Sequence, residues 1–329
     1  MIGKDTIKRI GKRKLYEISG CLSDKDNLIL LTVGACRYIT SRQIMRLYFQ
    51  PIAHIKLSAS VRNANRHLFR LKELGVIEHL DRRIGGVRAG SGANIWYLTT
   101  AGHKLLCLNE RVNEGSQSIR DSELAQSLLS CLPRKRHHEP TPRFLEHRLA
   151  VTEVFVRLHE LTGKSKVVSL DDIALEPECW REHPSIIGGK ASILKPDLYL
   201  VTTTKGNKKD EYEDYWFMEV DLATESPAVV LWKCEQYIRY FQSGIEQHKN
   251  GVFPRVVWIV PTDKRKESLQ KYVEENFDGI HLELFSVITM NELPGLVCGN
   301  SSIAKTNENA IKNVENATRT GVKKAGNSL

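Results

Sequence analysis

The chain has 329 residues, 48 lysines and arginines against 39 aspartates and glutamates, and a formal net charge of +9. With 41 % apolar residues it can bury real cores, which excludes a disordered chain, and its length predicts two domains. No window approaches the roughly 18 uncharged apolar residues of a membrane span, and the basic start lacks the apolar run of a signal peptide, so a soluble, cytoplasmic protein with no membrane partner is expected.

Charge is uneven along the chain: residues 1–20 carry +4, 21–140 carry +8, 141–298 carry −6 and 299–329 carry +3. A basic front joined to an acidic segment fits a polyanion-binding module attached to something else, and nucleic acid is the favoured polyanion. The 7 cysteines are odd in number and never spaced as C-x-x-C, which argues for free thiols against a zinc ribbon or disulfide framework.

Residues 1–20 read as a basic arm. Ser23, three residues before Asp26, is a capping box with Asp in place of Glu, and opens an apolar helix over 23–38. Thr40 caps a second short helix carrying Ile44, Leu47 and Tyr48 on one face. After a break at Pro51–Lys56 a third helix runs from about Ser58 to Leu74, with Val61, Ala64, Leu68, Leu71 and Leu74 as its core stripe and Gly75 as its stop. Two strands follow, VIEHL and IWYLT, joined by the loop DRRIGGVRAGSGAN, and a further helix begins at TTAGHKLL. Three helices and a two-stranded hairpin in this order predict a winged helix-turn-helix over 21–106. Its third helix leaves Arg62, Asn63, Asn65, Arg66 and Arg70 for phosphates and base edges, and its wing offers Arg82, Arg83 and Arg88. The alternative is that these side chains only solvate a helix face.

Residues 107–140 read as a linker with a short helix at Ser122–Leu132, closed by Pro133 and Pro140. From 141 to 296 the pattern is helix (Leu145–Leu161), strand KVVSLDDIAL, strands SILKPDLYLVTT and DYWFMEVDL, helix SPAVVLWKCEQYIRYFQSG, strand RVVWIVP, a charged helix and a last strand LELFSVI. This predicts an α/β sandwich, and so an α/β class overall. Residues 297–329 read as a disordered basic tail.

Chemistry concentrates in the acidic part. Asp197 follows Pro196 in one strand, and Glu219 and Asp221 lie two apart in the next, on one face. Glu225 comes just beyond, and Lys233 and Tyr237 share a face of the following helix. Asp197, Glu219 and Asp221 form an oxygen-rich set suited to Mg²⁺ or Mn²⁺, with Lys233 as electrostatic support and Tyr237 as a candidate nucleophile. Core packing for Tyr237 and solvated strand ends for the carboxylates are the alternatives. No Walker-type loop and no G-x-S-x-G elbow occur, and His137–His138 do not form the histidine-apolar-histidine motif of rolling-circle relaxases.

The stretches K-P-D-L-Y-L, F-M-E-V-D-L-A-T-E-S and L-W-K-C-E-Q-Y-I-R-Y resemble the C-terminal part of the replication-relaxation proteins of plasmids and mobile elements. The resemblance implies a winged helix fused to a restriction-endonuclease-like α/β/α domain of the PD-(D/E)xK type. On that pattern Asp197 is the Asp of P-D and Glu219 the acidic residue of the second element. The lysine expected two positions later is Asp221, and Lys233 stands as a migrated replacement. The implied function is binding of double-stranded plasmid-origin DNA, with metal-dependent nicking in relaxation, mobilisation or replication. A non-catalytic replication initiator or transcription regulator and a restriction-like defence nuclease are the competing readings; a homodimer or replication and conjugation proteins are the partners such a role would call for.

Overall fold

The computed structural model describes residues 10–50, 57–80, 93–112, 140–184, 191–205 and 211–299. The chain forms a mixed α/β protein of two compact units, Met1–Glu160 and Leu161–Leu329. Among the described residues no helix is long and apolar enough to cross a membrane.

In the first unit the expected arm is partly a helix, α1 (Lys12–Cys21), because Leu15 and Ile18 are three apart and both buried. Helix α2 (Asp24–Cys36) opens with the expected reciprocal cap: Ser23 Oγ accepts from the Asp26 N–H at 3.2 Å, and Asp26 Oδ2 accepts from the Ser23 N–H at 3.0 Å. A short strand, β1 (Ile39–Thr40), precedes α3 (Ser41–Tyr48), which Thr40 and Gln43 cap in the same reciprocal way. Helix α4 (Leu57–Glu73) buries Ser60, Ala64, Leu68 and Leu71 and ends before Gly75, whose φ of 74° favours glycine. Val61, assigned to the core stripe on spacing, is instead exposed, since it lies one flank away from the buried centre of the helix.

Strands β2 (Ile77–His79) and β3 (Ile95–Leu98) pair antiparallel, and β1 joins on the far side of β3, giving the order β1–β3–β2. In the first turn of helix α5 (Thr100–Val112) Gly102 approaches the residue before β2: a Cβ there would lie 2.1 Å from the Val76 carbonyl oxygen, so only glycine fits. The helix also extends into what the sequence reading assigned to the linker. The predicted helix at 122–132 lies outside the described residues.

Helix α6 (Pro142–Thr162) was expected to open the second domain, but it packs on the first unit. Leu145 and Leu149 share a buried cluster with Tyr38 and Ile95. Arg46 Nη1 reaches Glu153 at 2.7 Å, its Nη2 reaches Glu160 at 2.5 Å, and Thr152 Oγ1 donates to the Tyr38 carbonyl at 3.0 Å. Periodicity along α6 finds its apolar face but cannot say which neighbour covers it.

The second unit is built on a five-stranded sheet, β4 (Val168–Leu175), β7 (Leu198–Lys205), β8 (Glu211–Val220), β9 (Arg255–Val260) and β10 (Phe285–Thr289), in the order β10–β9–β8–β7–β4. The pairs β4–β7 and β7–β8 are antiparallel, whereas β8–β9 and β9–β10 are parallel. The central parallel strand β9 reads as a continuous apolar run, as strands covered on both faces do: Val256 to Val260 are all buried. Helices α7 (Pro227–Gln242), α8 (Ile245–Asn250), α9 (Asp263–Asn276), α10 (Gly279–Glu283) and α11 (Leu293–Val297) complete the unit.

Three local expectations change. The single strand read from SILKPDLYLVTT is two, β6 (Ser192–Leu194), paired with β5 (Arg181–His183), and β7. Pro196 has no N–H to give a ladder, so the chain breaks there. The start of LELFSVI is helical, in α10, with only its latter part in β10. Val297 ends a helix rather than opening the tail, and residues 300–329 lie outside the described residues.

Candidate functional site

Asp197 sits at the mouth of β7, immediately before Leu198, which pairs with Met218. This register sets Asp197 beside Glu219 at the same end of the sheet. Asp197 Oδ2 accepts the Val220 N–H at 2.8 Å, and both carboxylates are buried. Glu219 shares its strand face with Phe217, against which Tyr237 of α7 packs at 5.7 Å between ring centroids. From the same helix face, Lys233 Nζ reaches Glu219 Oε2 at 3.1 Å and the Tyr237 hydroxyl donates to Glu219 Oε1 at 2.7 Å. Lys233 and Tyr237, four apart, thus meet one carboxylate, as helix spacing predicts.

Between β8 and α7 the chain turns through Ala223, whose φ of 58° is left-handed. The turn returns Glu225 to Lys233, with its Oε1 3.1 Å from the ammonium. Glu225 belongs to the cluster more closely than Asp221 does. Asp221 lies just past the end of β8, and its Oδ2 accepts from Arg265 Nε of α9 at 2.6 Å, while Arg265 Nη2 donates to the Glu225 carbonyl at 3.0 Å. Asp221, expected beside Asp197 and Glu219, pairs with Arg265 through Oδ2, while its buried Oδ1 has no hydrogen-bond partner among the described residues.

The electrostatics of the cluster follow from its burial. Glu219 is 2 % exposed, and loss of water pushes its carboxyl up to about 7, with the Lys233 ammonium pulling the other way and Asp197 adding to the rise. Burial alone would lower the Lys233 ammonium, but Glu219, Asp197 and Glu225 outweigh it and raise it above the ordinary lysine value. Burial, then the Glu219 charge, holds the Tyr237 hydroxyl well above the usual phenol range. The arrangement is a permanent cation facing a carboxyl poised near neutrality.

Whether a divalent ion suits these residues turns on their donors. Among the described residues no group of three His, Cys, Asp or Glu side chains is gathered as a metal site. Mg²⁺, however, is usually held by one or two carboxylates together with water and phosphate. Asp197 and Glu219 are such a pair of hard oxygen donors, and beside their lysine the buried Glu225 Oε2 has no hydrogen-bond partner among the described residues. The donor chemistry fits.

In the first unit the α4 candidates separate. Arg62 and Arg66 are exposed, and among the described residues neither takes part in an ion pair. Asn65 lines a groove of about 480 Å³ together with Arg42, Val61, Phe69 and Asn94. Arg70 is occupied elsewhere: Nη1 reaches the buried Asp26 at 2.7 Å and Nη2 donates to the Cys21 carbonyl at 2.6 Å, so its guanidinium closes α4 onto α2. Asn63 is half-buried, four and seven positions from His67 and Arg70 and so on that same flank. Arg82, Arg83 and Arg88 lie outside the described residues.

Residues 30–256 match the family model described as Replication-relaxation. The chain belongs to the replication-relaxation family. Membership points to a role in plasmid or mobile-element replication or relaxation. The matched segment holds Asp197, Glu219, Glu225, Lys233 and Tyr237, and ends before Arg265. No curated protein and no solved structure gives a significant match.

Sequence reasoning passed over two residues of these sites. Arg265 carried no signal, since its partner lies 44 positions away and only the fold joins them. Arg42 did carry one: the Thr40 cap puts it in the first turn of α3, where a side chain is free to reach an anion.

Proposed function

We propose that this chain binds double-stranded plasmid or mobile-element DNA through its first unit and nicks it at a PD-(D/E)xK-type centre in its second. The order helix, short strand, helix, helix, hairpin, with the short strand paired to the last one, supports a winged helix-turn-helix. The order of antiparallel meander, helix and parallel strand supports a restriction-endonuclease-like sheet. The observation that carries the enzymatic reading is Lys233, brought by α7 to 3.1 Å from Glu219 at the sheet end that also bears Asp197.

In this reading Asp197 and Glu219 hold Mg²⁺ or Mn²⁺, which would supply an activated water and offset charge on the phosphodiester. Lys233, cationic throughout the neutral range, faces an oxygen on which charge builds. Glu219, poised near 7, can hold or return a proton at working pH. Tyr237 acts by fixing the Glu219 carboxyl, because a hydroxyl that is 1 % exposed and resists ionisation is a poor nucleophile. The test is conversion of supercoiled plasmid from the host element to nicked circle by the full chain with Mg²⁺ or Mn²⁺. Nicking that Asp197→Ala plus Glu219→Ala abolishes supports the reading; identical behaviour of the two proteins removes it.

A second reading, a non-catalytic replication initiator or transcription regulator, is favoured by one feature. The position where PD-(D/E)xK proteins place lysine is Asp221, locked to Arg265. Under it the same assay gives no nicking, while DNA binding persists.

A further inference from the structure

The groove beside α4 is bounded by unlike chemistry on its two sides. Val61, Asn65 and Phe69, at spacings of four, form one stripe along the helix. Val61 and Phe69 are 41 % and 44 % exposed, which leaves bulky apolar groups facing water. Asn65, half-buried between them in the groove, carries both a donor and an acceptor on its carboxamide. The Phe69 ring meets Trp96 edge-on at 5.6 Å, and the Trp96 indole N–H donates to Ser41 Oγ at 2.8 Å, which ties the α4 stripe to the start of α3. The stripe is therefore held in place. Arg42 stands on the α3 side of the groove, and Arg62 and Arg66 are exposed farther around α4.

Cations around an apolar stripe with a carboxamide at its centre match one surface of duplex DNA. Phosphates flank the major groove; on its floor adenine offers an N6/N7 donor–acceptor pair to a carboxamide, and thymine offers a methyl group to apolar side chains. A G·C pair presents no methyl group, and guanine's two acceptors do not match a carboxamide's donor–acceptor pair. We infer that this stripe reads an A·T step in the major groove, with Asn65 on adenine and Val61 and Phe69 against thymine methyl groups. The inference rests on the DNA-binding reading of the first unit and adds the base class it recognises.

The experiment selects binding sites for the full chain from a random duplex pool, then replaces each thymine of the selected site by deoxyuridine, which deletes only the methyl group. The expected result is an A·T step common to the selected sites, an affinity loss of severalfold on methyl deletion, and a loss of about tenfold in discrimination at the adenine in Asn65→Ala. Val61→Ala, a milder change than removal of Phe69, should make the protein insensitive to the missing methyl while leaving it folded by circular dichroism. Selected DNA that binds with no A·T preference and no methyl effect overturns the inference and leaves DNA binding intact. Absence of binding to any pool at low salt overturns both. A dimer in sedimentation that Phe69→Ala dissociates would assign the stripe to a second copy of the chain, and would also overturn it.

Discussion

Each unit buries a carboxylate, and the two are treated in opposite ways. Asp26 in the first unit receives two bonds from Ser23, one from His67 and one from Arg70. Burial alone would raise its pKa, but the bonds from His67 and Ser23 outweigh that and hold the carboxyl below its ordinary value. Glu219 in the second unit has one ammonium and one neutral phenol as partners, and burial wins. A charge surrounded by donors is a rivet, since its ionised state is what the fold requires. A carboxyl with too few donors is held between states, a cost that serves chemistry more readily than stability.

The sharpest test of that contrast is activity. Removing Asp197 and Glu219 together should lower nicking of supercoiled plasmid by at least about a thousandfold, the scale lost with an electrostatic catalytic group, while Asp26→Asn leaves the rate per folded molecule unchanged. Next in size is stability: Asp26→Ala leaves Arg70 and His67 facing an empty partner and should cost about 3–5 kcal/mol in urea unfolding. Arg70→Ala should cost about 1.5–3 kcal/mol, a charged hydrogen bond's worth, and should leave the salt dependence of DNA binding alone. Arg62→Ala and Arg66→Ala should do the reverse, each reducing the salt slope by about 1 at unchanged stability.

The smallest effect is in the pH profile, and its sign differs between the two sites. Asp26, lowered in the folded state, contributes stability present above the unfolded pKa of about 3.9 and lost as pH falls. Glu219, raised to about 7, contributes stability that is full below the unfolded value of about 4.3 and lost as pH rises through 7. Urea unfolding between pH 5 and 8 should therefore show a decline that Glu219→Gln flattens. A decline unchanged in that variant would assign the titration to another group.

Much of this was legible in the chain. The caps at Ser23 and Thr40, the stop at Gly75 and the apolar run of β9 are local signals, each complete within a few residues, and the structure bears them out. That Lys233 and Tyr237 share one helix face was legible too, from their spacing of four; that both meet Glu219 only the fold decides. The ion pair of Asp221 with Arg265 was not legible, because its partner lies 44 positions away. Arg70 was read as surface because nothing local announces a partner 44 positions away.

Sequence alone determined most of the elements, their order and the residue types capable of chemistry, since propensity, capping and periodicity act over a few residues. Only the tertiary structure decided how those residues are used. It gave α6 to the first unit, Arg70 to Asp26, Arg265 to Asp221 and Glu225 to Lys233. Burial, which sets whether a carboxyl is a rivet or a poised acid, depends on what covers the residue, and the covering side chains come from distant parts of the chain.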